Sequence, residues 1–234
     1  MTTVCIHQPD FAPWLGFFDR LLEADIFVVL DNVQFVRRGW HHRDKIKTPG
    51  GAQWLTVPVI KKGRYHQAIN EVEIDNSRDW RAKHLRTIQT FYGKACCFDE
   101  AYPAIENIYA EKYNRLIDLN MRLLAWFMEQ MKIEVDIRFA SELGVKGTKN
   151  DLLIGIVQSV SGDVYLTGQG ASSYLDEAEF IDSGISVLWQ SYQHPVYPQL
   201  HDAFIPQLSS LDCLLNCGSS AATAILRRNG ADGI

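Results

Sequence analysis

The segment His7-Gln8-Pro9 places an imidazole and an amide beside a proline, directly after a short apolar stretch. A histidine titrates near neutral pH, so it can move a proton during a reaction or donate a hydrogen bond to a phosphate. Pro9 restricts the backbone and would hold both side chains in place. We therefore expect His7 to take part in catalysis and Gln8 to bind substrate. The alternative is that His7 caps the helix that follows.

Residues 190–197 form a second segment rich in hydrogen-bond donors, aromatic rings and prolines. Within it, Pro195 pushes the backbone of His194 towards an extended conformation. A histidine fixed in this way is the better candidate for a general base, so we rank His194 ahead of His7. The other interpretation of His194 is a structural histidine whose ring bonds to the backbone.

Three polar residues, Asp31, Asn32 and Gln34, follow the second apolar stretch. A buried strand does not tolerate such groups without partners. Asp31 could orient a catalytic histidine or bind a sugar hydroxyl, and Gln34 could help to orient the substrate. Turn formation explains the Asp-Asn pair equally well.

Eight cations and a single acid, Asp44, lie between positions 36 and 66 of a chain whose net charge is −5. This local excess indicates an anionic ligand, such as the phosphates of a sugar nucleotide or a coenzyme. Arg43, Lys45 and Lys47 are the candidates for binding those phosphates. The alternative is a solvated loop and a strand edge protected by lysines.

Gly168-Gln169-Gly170 lies between a predicted strand and a predicted helix. This arrangement resembles a truncated phosphate-binding loop, in which backbone amides attract an anion. Ser173 occupies the sixth position, where the full G-x-G-x-x-G pattern has glycine, so the motif is weak. A tight turn is the favoured alternative.

The elements that would position these residues alternate between strands and helices. Residues 2–6 and 25–30 form apolar runs separated by a helix that begins at Leu15, and the right-handed crossover rule makes the two strands parallel. The other predicted elements are strands at 54–60, 133–140, 163–167 and 185–190, helices at 79–92 and 174–181, a long helix with Pro103 in its first turn and a helix that starts at Asp151.

Ligands of parallel sheets bind beyond the carboxyl ends of the strands. Because His7, Asp31, Gly168 and His194 all follow predicted strands, we expect them to share one edge of the sheet. The predicted fold is an α/β, Rossmann-like, mostly parallel sheet with a helical middle region at about 79–131, in a single domain spanning residues 1–234.

Composition narrows the class of protein. The 234 residues are 47% hydrophobic and 22% charged, which is typical of a globular chain with a large core. A net charge of −5 argues against general nucleic-acid binding. We expect no signal peptide, because polar and charged residues appear by His7 and Asp10, and no membrane span, because no apolar run is long enough. Five cysteines, an odd number, indicate reduced thiols in a cytoplasmic protein. Cys213 and Cys217 would share a helix face, and no metal site is predicted.

Several ordered blocks resemble the WbqC-like family. The similarity runs from residue 4 to about 220 and is carried by residues 6–19 (IHQPDFAPWLGFFD), 30–35 (LDNVQF), 45–50 (KIKTPG), 54–58 (WLTVP), 194–197 (HPVY) and 208–216 (LSSLDCLLN). In one departure from the expected pattern, Phe11-Ala12 replaces a bulkier or more aromatic pair, which would alter the size of the pocket.

The resemblance implies a role in bacterial surface-polysaccharide and aminosugar pathways, where some members behave as acyl or aminoacyl transferases. The leading hypothesis is therefore N-acyl transfer to the amine of a nucleotide-linked aminosugar, without a tightly bound cofactor. The thioester co-substrate would be acyl-CoA or an acyl or peptidyl carrier protein. The expected catalytic residues are His194, His7 and Asp31, and the expected substrate-binding residues are Gln8, Asn32, Gln34, Arg43, Lys45, Lys47, Gly168, Gln190, Tyr197 and Asn216.

Two other functions stay open. A nucleotidyltransferase is suggested by a histidine at the end of the first strand, although Trp14-Leu15-Gly16 occupies the place of the second histidine expected in such enzymes. A non-catalytic module that binds a sugar nucleotide is the third hypothesis. The oligomeric state does not follow from the sequence.

Overall fold

The structure is a computed structural model that describes residues 1–231, with side chains as far as Arg227. Its helices and strands, in chain order, are β1 (Thr3–His7), α1 (Leu15–Glu23), β2 (Ile26–Val29), β3 (Arg43–Thr48), β4 (Gly51–Thr56), α2 (Trp80–Tyr92), α3 (Phe98–Ala110), α4 (Leu116–Met131), β5 (Asp136–Phe139), α5 (Lys149–Ser159), β6 (Val164–Thr167), α6 (Glu177–Asp182), β7 (Ser186–Trp189) and α7 (Ser210–Ala231). Short 3₁₀ turns lie at Ile69–Glu71, Ala140–Glu142 and Gln169–Ala171.

Five strands form one parallel sheet in the order β5-β2-β1-β6-β7. From β1 the chain proceeds outwards through β2 and β5, and it later returns to β1 and proceeds in the opposite direction through β6 and β7. The loops after β1 and β6 therefore diverge, which opens a crevice at the carboxyl ends of these two strands. The Rossmann-like α/β fold predicted from the sequence is confirmed.

Helices cover both faces of this sheet. Successive strand residues point to opposite sides, so neighbouring residues of one strand pack against different helices. Val4 and Ile6 of β1 pack with α5 and α6, whereas Cys5 packs with the cluster that includes α1, α4 and α7. The helical region between β4 and β5 adds its apolar side chains to that same cluster. The core thus fixes the strand ends where β1 and β6 meet.

Two local predictions were wrong. The predicted strand 54–60 is the second half of an antiparallel hairpin, in which β3 pairs with β4, and it ends at Thr56. The helix predicted to have Pro103 in its first turn is two helices, with Pro103 inside α3 and a break before Leu116. Apolar spacing continues across that break, so periodicity alone could not reveal it.

No helix in residues 1–231 is long and apolar enough to cross a membrane. All five cysteines are free thiols. The assignment of the whole chain to a single domain stays a prediction.

Candidate functional site

A cavity of about 670 Å³ opens at the crevice between β1 and β6. Its lining includes His7, Gln8, Asp10, Trp14, Arg20, Trp40, His41, Gly168, Gln190 and Tyr192. The residues come from the loop after β1, helix α1, the loop before β3 and the loops after β6 and β7. Its position and size are those of a binding site for a small molecule in a Rossmann-like sheet.

His7 presents an unprotonated nitrogen to this cavity. The Nδ1–H group donates to the carbonyl of Gln8 at 2.9 Å, so the lone pair lies on Nε2. Burial, and next the positive charge of Arg20, lower the pKa of His7 to about 4. His7 is therefore neutral at pH 7 and acts as a hydrogen-bond acceptor or a base at Nε2.

Asp10 lies between two histidines and orients one of them. His41 donates from Nδ1 to Asp10 Oδ1 at 3.1 Å, while His7 Nδ1 lies 3.8 Å from Asp10 Oδ2. His41 Nε2 is buried and has no hydrogen-bond partner among the described residues. Asp10 thus fixes the hydrogen on Nδ1 and leaves the lone pair of His41 on the buried Nε2, beside Gly39.

Helix α4 holds this pair in position. The amide of Asn120 donates to the carbonyls of Pro9 at 2.8 Å and His41 at 2.7 Å. One side chain therefore ties the loop after β1 to the loop before β3. The Asp10–His41 pair was not predicted from the sequence. The one signal for Asp10 was its position three residues after His7, across the turn that contains Pro9.

Arg20 places a largely buried positive charge beside the cavity. It is 8% exposed, its Nε is buried without a partner, and no ion pair joins it to any carboxylate in the described part of the chain. A Cβ atom at Gly168 would approach the Arg20 guanidinium to 3.0 Å, so glycine leaves the room that this group occupies. A largely buried guanidinium that forms no ion pair in the described chain can bind phosphate or carboxylate.

Four of the residues predicted to form the site line the cavity together: His7, Gln8, Gly168 and Gln190. Gln190 is held by donating to the carbonyl of Gly16 at 2.8 Å and to Asp19 Oδ2 at 2.6 Å. The cavity thus combines the ends of β1, β6 and β7, as the strand-end rule indicated.

His194 does not belong to this lining. Its ring stacks on Trp14 with centroids 6.2 Å apart, and Trp14 stands between it and the cavity as one of the lining residues. Its Nδ1–H donates to the carbonyl of Pro195 at 2.9 Å, and burial lowers its pKa. The role of His194 as general base stays a prediction that this geometry does not favour.

The polar residues after β2 lie outside the cavity as well. The carboxylate of Asp31 accepts from the Ser141 backbone at 2.9 Å, the Ser141 hydroxyl at 2.7 Å and Asn70 at 3.1 Å. Asn32 is exposed, and Gln34 donates to the carbonyl of Tyr65 at 3.0 Å. Asp31 therefore joins β2 to the segment after β5, a contact that could not be located from the order of the residues.

The three predicted phosphate-binding cations lie on the β3–β4 hairpin, outside the cavity lining. Arg43 and Lys45 stand over the ring of Trp54 at 4.2 and 5.0 Å. Lys47 is buried and donates to the carbonyl of Asp202 at 3.4 Å.

Tyr197 and Asn216 are part of a buried network around Asp212. Tyr197 donates to the Asp212 carboxylate at 3.0 Å, and Asn216 donates to the Asp212 carbonyl at 2.8 Å. Both side chains join the loop after β7 to helix α7, because Asn216 also accepts from the backbone of Leu200. They are placed to stabilise that loop rather than to touch a ligand in the cavity.

The strand order and the polar cavity at its switch point define a Rossmann-like α/β protein with a crevice at the carboxyl ends of β1 and β6. The chain belongs to the WbqC-like protein family, whose sequence model matches residues 8–224. It is 36% identical over 223 residues to the uncharacterized protein Rv1507c of Mycobacterium tuberculosis, covering 94% of this chain and 96% of that relative. No solved structure matches it significantly.

Proposed function

We propose that the chain is an N-acyltransferase, moving an acyl or aminoacyl group from a thioester to the amine of a nucleotide-linked aminosugar in the cavity at the β1–β6 crevice. The observation that carries the proposal is the largely buried guanidinium of Arg20, whose Nε has no hydrogen-bond partner in the described chain, in the same cavity as the Asp10–His41 pair. One group suits the phosphates of the acceptor, and the other suits its amine.

Arg20 is assigned the role of binding the negatively charged phosphates of the acceptor. A diphosphate beside the guanidinium would gain charge-assisted hydrogen bonds and would form the ion pair that Arg20 lacks among the described residues. Gly168 allows the phosphates to approach the backbone after β6, because it has no side chain. This assignment replaces the hairpin cations Arg43, Lys45 and Lys47 as the phosphate-binding groups.

The proton transfers are assigned to His41. The amine nitrogen attacks the thioester carbonyl carbon, the C–N bond forms, and the C–S bond breaks. His41 Nε2 takes the proton that the nitrogen loses and delivers it to the departing thiolate. Asp10 keeps the hydrogen on Nδ1 and stabilises the imidazolium between the two transfers. His7, neutral at pH 7, accepts a hydrogen bond from the amine or a sugar hydroxyl at Nε2.

Membership of the WbqC-like family supports an aminosugar as the acceptor and a role in bacterial surface-polysaccharide biosynthesis. Free thiols suit a cytoplasmic enzyme, where nucleotide-linked sugars would be the soluble form of the acceptor.

The test is acylation of dTDP- and UDP-linked aminosugars by acyl-CoA and by acyl thioesters of carrier proteins. Thiol release and the mass of the product are measured for the wild type and for His41→Gln. The matched control is His66→Ala, which changes an exposed histidine away from the cavity. The proposal predicts an acylated sugar nucleotide and a large loss of turnover only in His41→Gln. Absence of product with every thioester, or full turnover of His41→Gln, would refute it.

Nucleotidyl transfer is the second candidate, because the strand order puts His7 and Arg20 at the switch point, where nucleotide phosphates bind in Rossmann-like folds. Release of pyrophosphate from a nucleoside triphosphate would favour it over acyl transfer. A non-catalytic module would instead bind the sugar nucleotide tightly and leave it unchanged after prolonged incubation.

A further inference from the structure

A basic and aromatic surface borders the cavity. We define the hairpin face as Arg37, Arg38, Trp40, Arg43, Lys45 and Trp54. Trp40 is 45% exposed and Trp54 is 37% exposed, and their ring centroids lie 5.1 Å apart. Arg43 and Lys45 stack over these rings. Exposed tryptophan and arginine side chains are typical of the energetic centres of protein interfaces.

The cations of the hairpin face form no ion pairs with the described residues. Arg37 and Arg43 donate only to backbone carbonyls, at 3.3 Å to Lys61 and at 2.7 Å to Arg38. The acid of this region, Asp44, is buried. In a chain of net charge −5, the face is a local positive surface suited to an acidic partner.

The hairpin face continues into the cavity. Trp40 belongs to both, and its neighbour Gly39 also lines the cavity. A cavity of about 670 Å³ holds one ligand of ordinary size. With the sugar nucleotide inside, the second substrate can bring only its reacting end into the cavity, and the rest of it must lie on the surface at the cavity mouth.

We propose that the hairpin face docks an acidic acyl carrier protein, whose thioester-bearing arm enters the cavity past Trp40. This inference rests on the proposed acyl transfer and selects a carrier protein over free coenzyme A as the donor. The breadth of the face, with unpaired cations distributed around two exposed indoles, suits a protein surface better than one small anion.

The experiment compares three donors at saturating sugar nucleotide: an acetyl-loaded acidic acyl carrier protein, acetyl-CoA, and S-acetyl-pantetheine, which has neither a protein nor phosphates. The variant is the double change Arg43→Glu and Lys45→Glu. The matched control is Lys83→Glu with Arg86→Glu, which reverses two exposed cations on α2. In the hairpin variant at low salt, we expect the KM for the carrier protein to rise on the order of tenfold more than the KM for S-acetyl-pantetheine. At high salt this difference should disappear. The control double variant should show no such difference.

Direct binding separates this inference from the proposed function. Fluorescence anisotropy of the labelled carrier protein measures docking even if no donor is ever turned over. Weaker docking in the hairpin variant than in the control, with wild-type docking that falls as salt rises, supports the inference. Equal docking in both double variants, or no docking to the wild type, overturns it. So does an equal loss with acetyl-CoA and with the carrier protein, which would make the face a site for the phosphates of coenzyme A.

Discussion

Replacing Arg20 by methionine should make the protein more stable and a poorer binder of its substrate. Methionine has a similar length and no charge, so it preserves most of the packing. The guanidinium is 8% exposed and its Nε is buried without a partner in the described chain. The protein therefore carries the cost of removing this charge from water, with no ion pair in the described chain to offset it.

The size of the stability change follows from two opposing contributions. A buried polar group without a partner costs about 1–3 kcal/mol, which the substitution removes. The contact with the Phe17 ring, at 6.0 Å from the guanidinium carbon, is lost and contributes about 0.5–1 kcal/mol. We therefore expect the free energy of unfolding to rise by about 1 kcal/mol.

Substrate binding should change in the opposite direction. A hydrogen bond to a charged group contributes about 1.5–3 kcal/mol. Losing it weakens the affinity for a dTDP- or UDP-linked aminosugar by about 10- to 150-fold. Calorimetry measures this affinity, and urea unfolding measures the stability.

Arg86→Met is the matched control, because Arg86 is an exposed arginine on α2. We expect its stability to stay within about 0.5 kcal/mol of the wild type and its affinity to be unchanged. If Arg20→Met lowers the stability and leaves the affinity intact, Arg20 is a structural residue and the phosphate assignment is wrong. A loss of both would show only that the fold is damaged.

Three further predictions test other parts of the site and fold. His41→Gln should lower kcat by about 10²- to 10⁴-fold in steady-state kinetics, with little change in KM, because it removes a proton acceptor and keeps much of the shape. Burial lowers the pKa of His84 to about 4, so the unfolded chain binds a proton more readily than the native chain. His84 therefore contributes about 3 kcal/mol to the free energy of unfolding, a contribution that is complete above pH 6.5 and is lost as the pH falls to 4. Urea unfolding across that range measures the loss, and a stability that does not change with pH would contradict the prediction. Asp31→Ala should cost about 3 kcal/mol in unfolding free energy without changing ligand affinity, and an unchanged stability with weaker binding would instead restore Asp31 as a site residue.

The parallel sheet could be predicted because its signals are local. Residues 25–30 form an apolar run with polar residues on either side, as a strand covered on both faces requires. The crossover rule then fixed the orientation of β1 and β2. The same reasoning brought His7, Gln8, Gly168 and Gln190 to one edge, since each follows the carboxyl end of a strand.

The hairpin shows where local signals fail. Lys45 and Lys47 occupy positions two apart on β3, so both side chains point to the same face of the hairpin. Lys47 is nevertheless buried under the segment around Asp202, whereas Lys45 stays over the two exposed tryptophans. Which part of a face a distant segment covers depends on tertiary packing, and the alternation of residues cannot supply it.

Arg20 and His41 were missed for a related reason. A cation in an amphipathic helix such as α1 normally faces water, and nothing in the spacing marks this one as turned towards a strand end. His41 reaches the site only because Asn120, 79 residues further along the chain, holds its backbone against the loop after β1. A sequence without a structure does not indicate contacts at that separation.

Trp14-Leu15-Gly16 occupies the place where nucleotidyltransferases have a second histidine, and this difference bears on the choice between the two reactions. Trp14 stands at the start of α1, and a Cβ atom at Gly16 would approach its ring to 2.3 Å, so only glycine lets the indole lie against the helix. The indole then walls the cavity and screens His194 from it. A second imidazole therefore cannot come from this turn to contact nucleotide phosphates. His41 supplies a second imidazole instead, and its Nδ1–H donates to Asp10. This arrangement favours the proposed amine acylation over nucleotidyl transfer.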